Sequence, residues 1–243
     1  MTKYRFGKHP PKVDYRTLRF MDYLKPTLPA PPPAYDVLPT VYKKLNLSNP
    51  ATLFPMDAND QFGDCTIAAL AHADTVFNGL VGKKKILAKP DVVKLYLHLT
   101  NGVDSGLNEL DVLNYWQSNP VDGDEITAFA SIKAKNHVHV QQAIQLLGGV
   151  YLGFQVQQDA QKDFEARKPW TPGPLTTDGH AVYAVAYDTS GVTVLTWGNT
   201  QLATWAWWDE CVDEAYAIVP PSGAVPAGLD VAQLKADLAQ VAS

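Results

Sequence analysis

The spacing of apolar residues changes period near the middle of the chain, and this limits the fold more than any other feature. Before Leu147 the apolar residues recur at helical spacing. Thr66–Phe77 is Ala-rich, with Ile67, Leu70, Ala71 and Phe77 on a helical repeat. Pro90–Leu99 opens on a proline suited to a first helical turn, and Asn108–Gln117 repeats Leu110, Leu113 and Trp116. A shorter helix over Val140–Leu147 is expected to stop at Gly148-Gly149. After Gly149 the runs become β-branched and aromatic: Val150–Val156, Ala181–Tyr187, Val192–Trp197, Ala203–Trp208 and Ala215–Val219. Asp188–Gly191 reads as a hairpin loop between two of them. Helices first and antiparallel strands second predict an α+β protein, with a helical part packed on a sheet or barrel part.

The first 55 residues differ from both halves. They hold ten of the 18 prolines, so residues 1–55 are expected to be an extended arm wrapped on the body, not a helix. Residues 1–25 carry seven Lys or Arg against Asp14 and Asp22, while the whole chain has a net charge of −5. The arm therefore faces an acidic body, and packing across it is expected in preference to binding nucleic acid. A permanent wrap that narrows a cleft is the expected role. Residues 56–219 form the main domain, divided into a helical part 56–147 and a β part 148–219. Residues 220–243 form a linker and a last helix, capped by Asp230, with Leu234, Leu238 and Val241 on one side.

At 243 residues and 46% hydrophobic, the chain can close a substantial core. No apolar run approaches the roughly 18 residues of a membrane helix, and no secretory pattern follows Met1, so a cytoplasmic location without membrane contact is expected. Two cysteines exclude a disulfide framework.

Asn59-Asp-Gln-Phe-Gly-Asp-Cys65 carries the chemistry. A thiol in the first turn of a helix feels the positive end of the helix dipole, which favours the nucleophilic thiolate. Asn59 and Gln61 are amides able to donate to a developing oxyanion, together with the Cys65 N–H. Asp178-Gly-His180 opens an apolar run, and a histidine rooted in a core strand suits proton transfer to the thiol.

These segments resemble the papain-like cysteine peptidase superfamily. Gln61…Gly63-Asp64-Cys65, Gly179-His180-Ala181-Val182, Ala186-Tyr187-Asp188 and Thr196-Trp197-Gly198 are similar to its motifs in order and context. Pro11–Arg16 and Leu38–Tyr42 resemble the lead-in of bacterial members, and Asp64-Cys65 is closer to the bacteriocin-processing branch. The resemblance implies hydrolysis of peptide or isopeptide bonds through a thioester, with Cys65 as nucleophile and His180 as proton carrier. It implies a peptide or protein substrate, no cofactor and no metal. The oxyanion donor is Gln61, four residues before Cys65, or Asn59, six before. The asparagine that orients the histidine falls on Leu195 in direct register, which leaves Thr196, Asn199 or a dyad. A non-catalytic peptide-binding module and a cysteine acyltransferase are the alternatives.

Other chemistry-bearing residues have plainer readings. Cys211 and His72 read as core, and Asp122–Glu125 as a solvated turn. His137 and His139 share one face of a strand but lack further metal ligands. Trp170, Trp197, Trp205, Trp207 and Trp208 read as core packing.

Overall fold

The structure is a computed structural model that describes residues 3–47, 53–221 and 227–241. The runs of β-branched and aromatic residues form one antiparallel sheet, seven-stranded among the described residues. Its strands are β1 (Tyr35–Asp36), β2 (Ala128–Ser131), β3 (Val150–Gln157), β4 (Leu175–Tyr187), β5 (Gly191–Thr196), β6 (Asn199–Thr204) and β7 (Val212–Val219). Their order is β2-β7-β3-β4-β5-β6, with β1 also paired to β4. The helices are α1 (Leu38–Lys44), α2 (Cys65–Leu80), α3 (Lys89–Leu99), α4 (Glu109–Ser118), α5 (His137–Leu147), α6 (Ala160–Glu165), α7 (Trp205–Cys211) and α8 (Val231–Val241). None of these is long and apolar enough to cross a membrane.

Strand side chains alternate between faces, so the sheet sorts two cores. On β4, Ala181, Tyr183 and Val185 join a core built with α1–α4 that includes Ile67, Leu70, Val76 and Trp116. Val182 and Ala184 point into a second core with Phe154, Trp170, Trp207 and residues of α5, α7 and α8. Every residue of α2 from Cys65 to Gly79 is buried, as an Ala-rich helix without a polar face requires. Its first residue, Cys65, is therefore held by packing on all sides.

Several expectations are revised. The arm is not wholly extended: Leu38–Lys44 is helical, with Pro39 in its first turn where the missing N–H costs nothing. The boundary at residue 148 is crossed, because β2 pairs with β7. Ala203–Trp208 is not one strand; the Thr204 hydroxyl accepts the Trp207 N–H at 3.1 Å and caps α7. Aromatic neighbours satisfied both periods there, and the cap decides. His137 and His139 lie in the first turn of α5, capped by Asn136, so they do not share a strand face. His137 Nε2 instead meets Asp209 at 2.7 Å. Asp64 holds the N-cap position of α2 without a side-chain capping bond.

The candidate active site

Cys65 opens α2 with its side chain fully buried. The backbone N–H groups of Ala181, on β4, and of Gly7, in the arm, face the thiol closely enough to favour its thiolate. Burial pushes the thiol up to about 12; those two amides oppose the rise, while the Asp64 and Glu109 carboxylates add to it. Asp64 is spent on the loop behind the helix. It accepts the Ala58 N–H at 3.2 Å and the Asn59 side-chain amide.

His180 precedes Ala181 on β4, opposite Phe154 of β3. Its ring stacks on Trp197 at 4.8 Å and meets the edges of Phe154 and Phe6. Nε2 lies 2.8 Å from the Thr196 hydroxyl, whereas Nδ1 has no hydrogen-bond partner among the described residues. Burial pushes the imidazole down to about 3, so it is neutral in this state. Thr196, and not Leu195, reaches the ring because of strand parity. Leu195 pairs with Tyr183 and points into the α2 core, which sends the next side chain to the opposite face.

The remaining candidates separate clearly. Asn199 is exposed, and its Oδ1 accepts the Thr200 N–H at 2.8 Å, so it does not touch His180. A short strand connection through Trp197 and Gly198 carries it past the ring. Asn59 is buried with its amide on Asp64. Gln61 is exposed, and its amide lies 3.5 Å from Asp60 Oδ2. Cys211 is buried on α7 as a core residue.

Sequence reasoning missed the arm residues inside the site. Arg5 N–H donates to Asn59 O at 2.6 Å and Lys8 N–H to Gly179 O at 3.1 Å. On the other side, Leu107 N–H donates to Gly7 O at 2.8 Å, and His9 N–H to Leu107 O at 2.9 Å. Gly7 lies flat on Gly63, where any Cβ would overlap the Gly63 carbonyl. Tyr4 stacks on Trp197 at 4.5 Å. The arm therefore runs through the cleft instead of narrowing it. The prolines and the excess of basic residues in the arm pointed to docking on the body without locating it.

No family model and no curated protein sequence matches the chain. Solved structures do. Xylellain, a cysteine protease from Xylella fastidiosa, matches with TM-score 0.69 and 16% identity over 89% of this chain and 96% of that one. ProCathepsin B S9 from Trypanosoma congolense matches with TM-score 0.60 and 12% identity over 89% of this chain and 87% of that one. The fold is papain-like. A cysteine protease from Carica candamarcensis agrees, with TM-score 0.56 and 13% identity over 79% of this chain and its own full length. In this papain-like fold the helix headed by Cys65 packs against the sheet strand carrying His180, and the arm lies between the loops that border them.

Proposed function

We propose that this protein is a cysteine peptidase whose own residues 4–9 occupy the substrate cleft. The observation carrying this reading is the backbone ladder of the arm. An extended peptide is held by Asn59, Leu107 and Gly179, with one of its amides facing the Cys65 thiol. A site that grips backbone in this way suits a peptide substrate.

With the arm displaced, the Cys65 thiol passes its proton to His180 Nδ1 and the sulfur attacks the substrate carbonyl carbon. In the reactive tautomer Nε2–H donates to Thr196 Oγ1, which leaves Nδ1 as the base. The Cys65 N–H at the start of α2 and the Gln61 amide stabilise the oxyanion. Gln61 is favoured over Asn59 because the Asn59 amide is already committed to Asp64. The C–N bond breaks as His180 returns the proton to the leaving amine. Water, deprotonated by His180, then opens the thioester and restores the thiol.

The seated arm holds the pair in its neutral form, which supports a latent state. One observation favours a second reading, a peptide-binding module: among the described residues His180 Nδ1 has no bond to the thiol. Full-length Gly7→Val, in which the added side chain cannot seat against Gly63, separates the two. Release of peptides from an unfolded protein, abolished by Cys65→Ser, is expected of the peptidase. No release by Gly7→Val, with the chain folded, would favour the binding module.

A further inference from the structure

Lys8 carries its charge into a pocket built from three elements of the body. Its side chain is 1% exposed. Nζ lies 2.8 and 2.9 Å from the two Asp213 carboxylate oxygens and 3.1 Å from Glu214 Oε1, both on β7. Glu109, the first residue of α4, is fully buried beside it, and among the described residues neither of its carboxylate oxygens has a hydrogen-bond partner. Gly153 of β3 forms the floor, where any Cβ would overlap the Lys8 stem and crowd Glu109. Glu214 Oε2 accepts the Tyr216 hydroxyl at 2.9 Å, which fixes that carboxylate toward the pocket.

Three carboxylates around one ammonium exceed what anchoring the arm needs. Two of them are buried, where an unpaired charge is costly. Burial pushes the carboxyls of Glu109 and Glu214 up. Burial also acts to lower the Lys8 ammonium, but the combined pull of Glu109, Glu214 and Asp213 outweighs it and raises it. The pocket thus holds a cation firmly and leaves both Glu109 oxygens idle. A guanidinium, with five donors in a fork, can use more of these acceptors than an ammonium can.

We infer that the Glu109–Asp213–Glu214 pocket selects a lysine or arginine side chain of a bound peptide, and that Lys8 is its built-in occupant. The inference rests on the reading of the cleft as a peptide site. Glu214 and Glu109 are the specificity-determining residues, because they are the buried carboxyls whose negative charge a neighbouring cation favours. A neutral side chain of the same length would fill the space and leave the charges unpaired.

The test uses the full-length Gly7→Val/Lys8→Ala chain, in which the arm is unseated and the pocket emptied. Two peptides with the sequence of residues 4–10 are titrated into it by calorimetry, one with lysine and one with norleucine in its place. The lysine peptide is expected to bind at least about tenfold more tightly, and Glu214→Gln is expected to reduce that ratio to near unity. Equal binding of the two peptides, or a ratio unaffected by Glu214→Gln, would overturn the inference. Cleavage of peptide substrates is measured in parallel. Selective binding without cleavage keeps the pocket and removes the peptidase; cleavage without preference for a basic residue does the reverse. If the double variant does not fold, single Lys8→Met is compared with the unaltered chain by thiol trapping of Cys65. A rise of tenfold or more supports the pocket, and an unchanged rate contradicts it.

Discussion

The Gly7 backbone amide faces the Cys65 thiol and acts to lower its pKa, so the chain's own backbone occupies the space from which a substrate carbonyl would approach. Burial, which the Gly7 amide only partly opposes, sets the thiol's state. A sulfur at a helix N-terminus gains from the dipole, but complete desolvation outweighs it and the thiol stays protonated. Any reaction of Cys65 then proceeds through the fraction of molecules with the arm lifted, and its rate measures that fraction.

Tyr4 is the arm's aromatic anchor, stacked on Trp197 and edge-on to Phe164. Tyr4→Ala should weaken the seated arm by about 2 kcal/mol, the contribution of one buried aromatic side chain. Cys65 trapping by a disulfide reagent at neutral pH should then accelerate roughly 30-fold. An unchanged rate would mean that residue 4 does not hold the arm.

Thr196 gives His180 Nε2 its polar partner. In the Gly7→Val chain, Thr196→Val should lower kcat about tenfold with little change in KM, as expected for one neutral buried hydrogen bond of about 1.4 kcal/mol. Thr196→Ser should restore it. Asn199→Ala should leave kcat unchanged, because Asn199 bonds its own neighbour in solvent. The reverse ranking would return the orienting role to Asn199.

Much of this was legible in the residues. The Ala-rich run after Asp64 and the apolar run after Gly179 specify the central helix and strand, because each follows a single period without competing turn residues. The α7 segment was not legible, since Trp205-Ala-Trp-Trp fits a strand or a helix and only the Thr204 cap chooses. The histidine's partner was ambiguous because a one-residue change of parity moves a side chain through the sheet. The path of the arm depends on close approach of Gly7 to Gly63, a long-range contact that no local pattern encodes.

Asp57 and His72 lie 3.4 Å apart, buried behind α2, and give stability two opposing pH limbs. Burial, then repulsion from Asp64, pushes Asp57 from 3.8 up to about 8. The folded state therefore holds the extra proton, and this stabilisation is complete below pH 3.8 and lost as pH rises to about 8. Burial pushes His72 from 6.5 down to about 4, so its stabilisation is complete above pH 6.5 and lost as pH falls through about 4. Asp57→Asn removes the alkaline limb, and asparagine accepts the left-handed φ of 55° at this position. At pH 8 the variant should melt roughly 3 °C higher or more, corresponding to about 1 kcal/mol. Equal melting temperatures at pH 8 would show that Asp57 is not protonated in the folded chain.

The most direct measurement is the rate of Cys65 alkylation by iodoacetamide from pH 4 to 11, read by mass spectrometry in three full-length chains. The unaltered chain should react slowly throughout, because the seated arm keeps the thiol covered and protonated. Gly7→Val should react much faster, with an apparent thiol pKa well below the usual ~8.5, and adding His180→Ala should return that value to the usual range. A Gly7→Val chain whose Cys65 titrates near ~8.5 and ignores the loss of His180 would contradict the proposed peptidase.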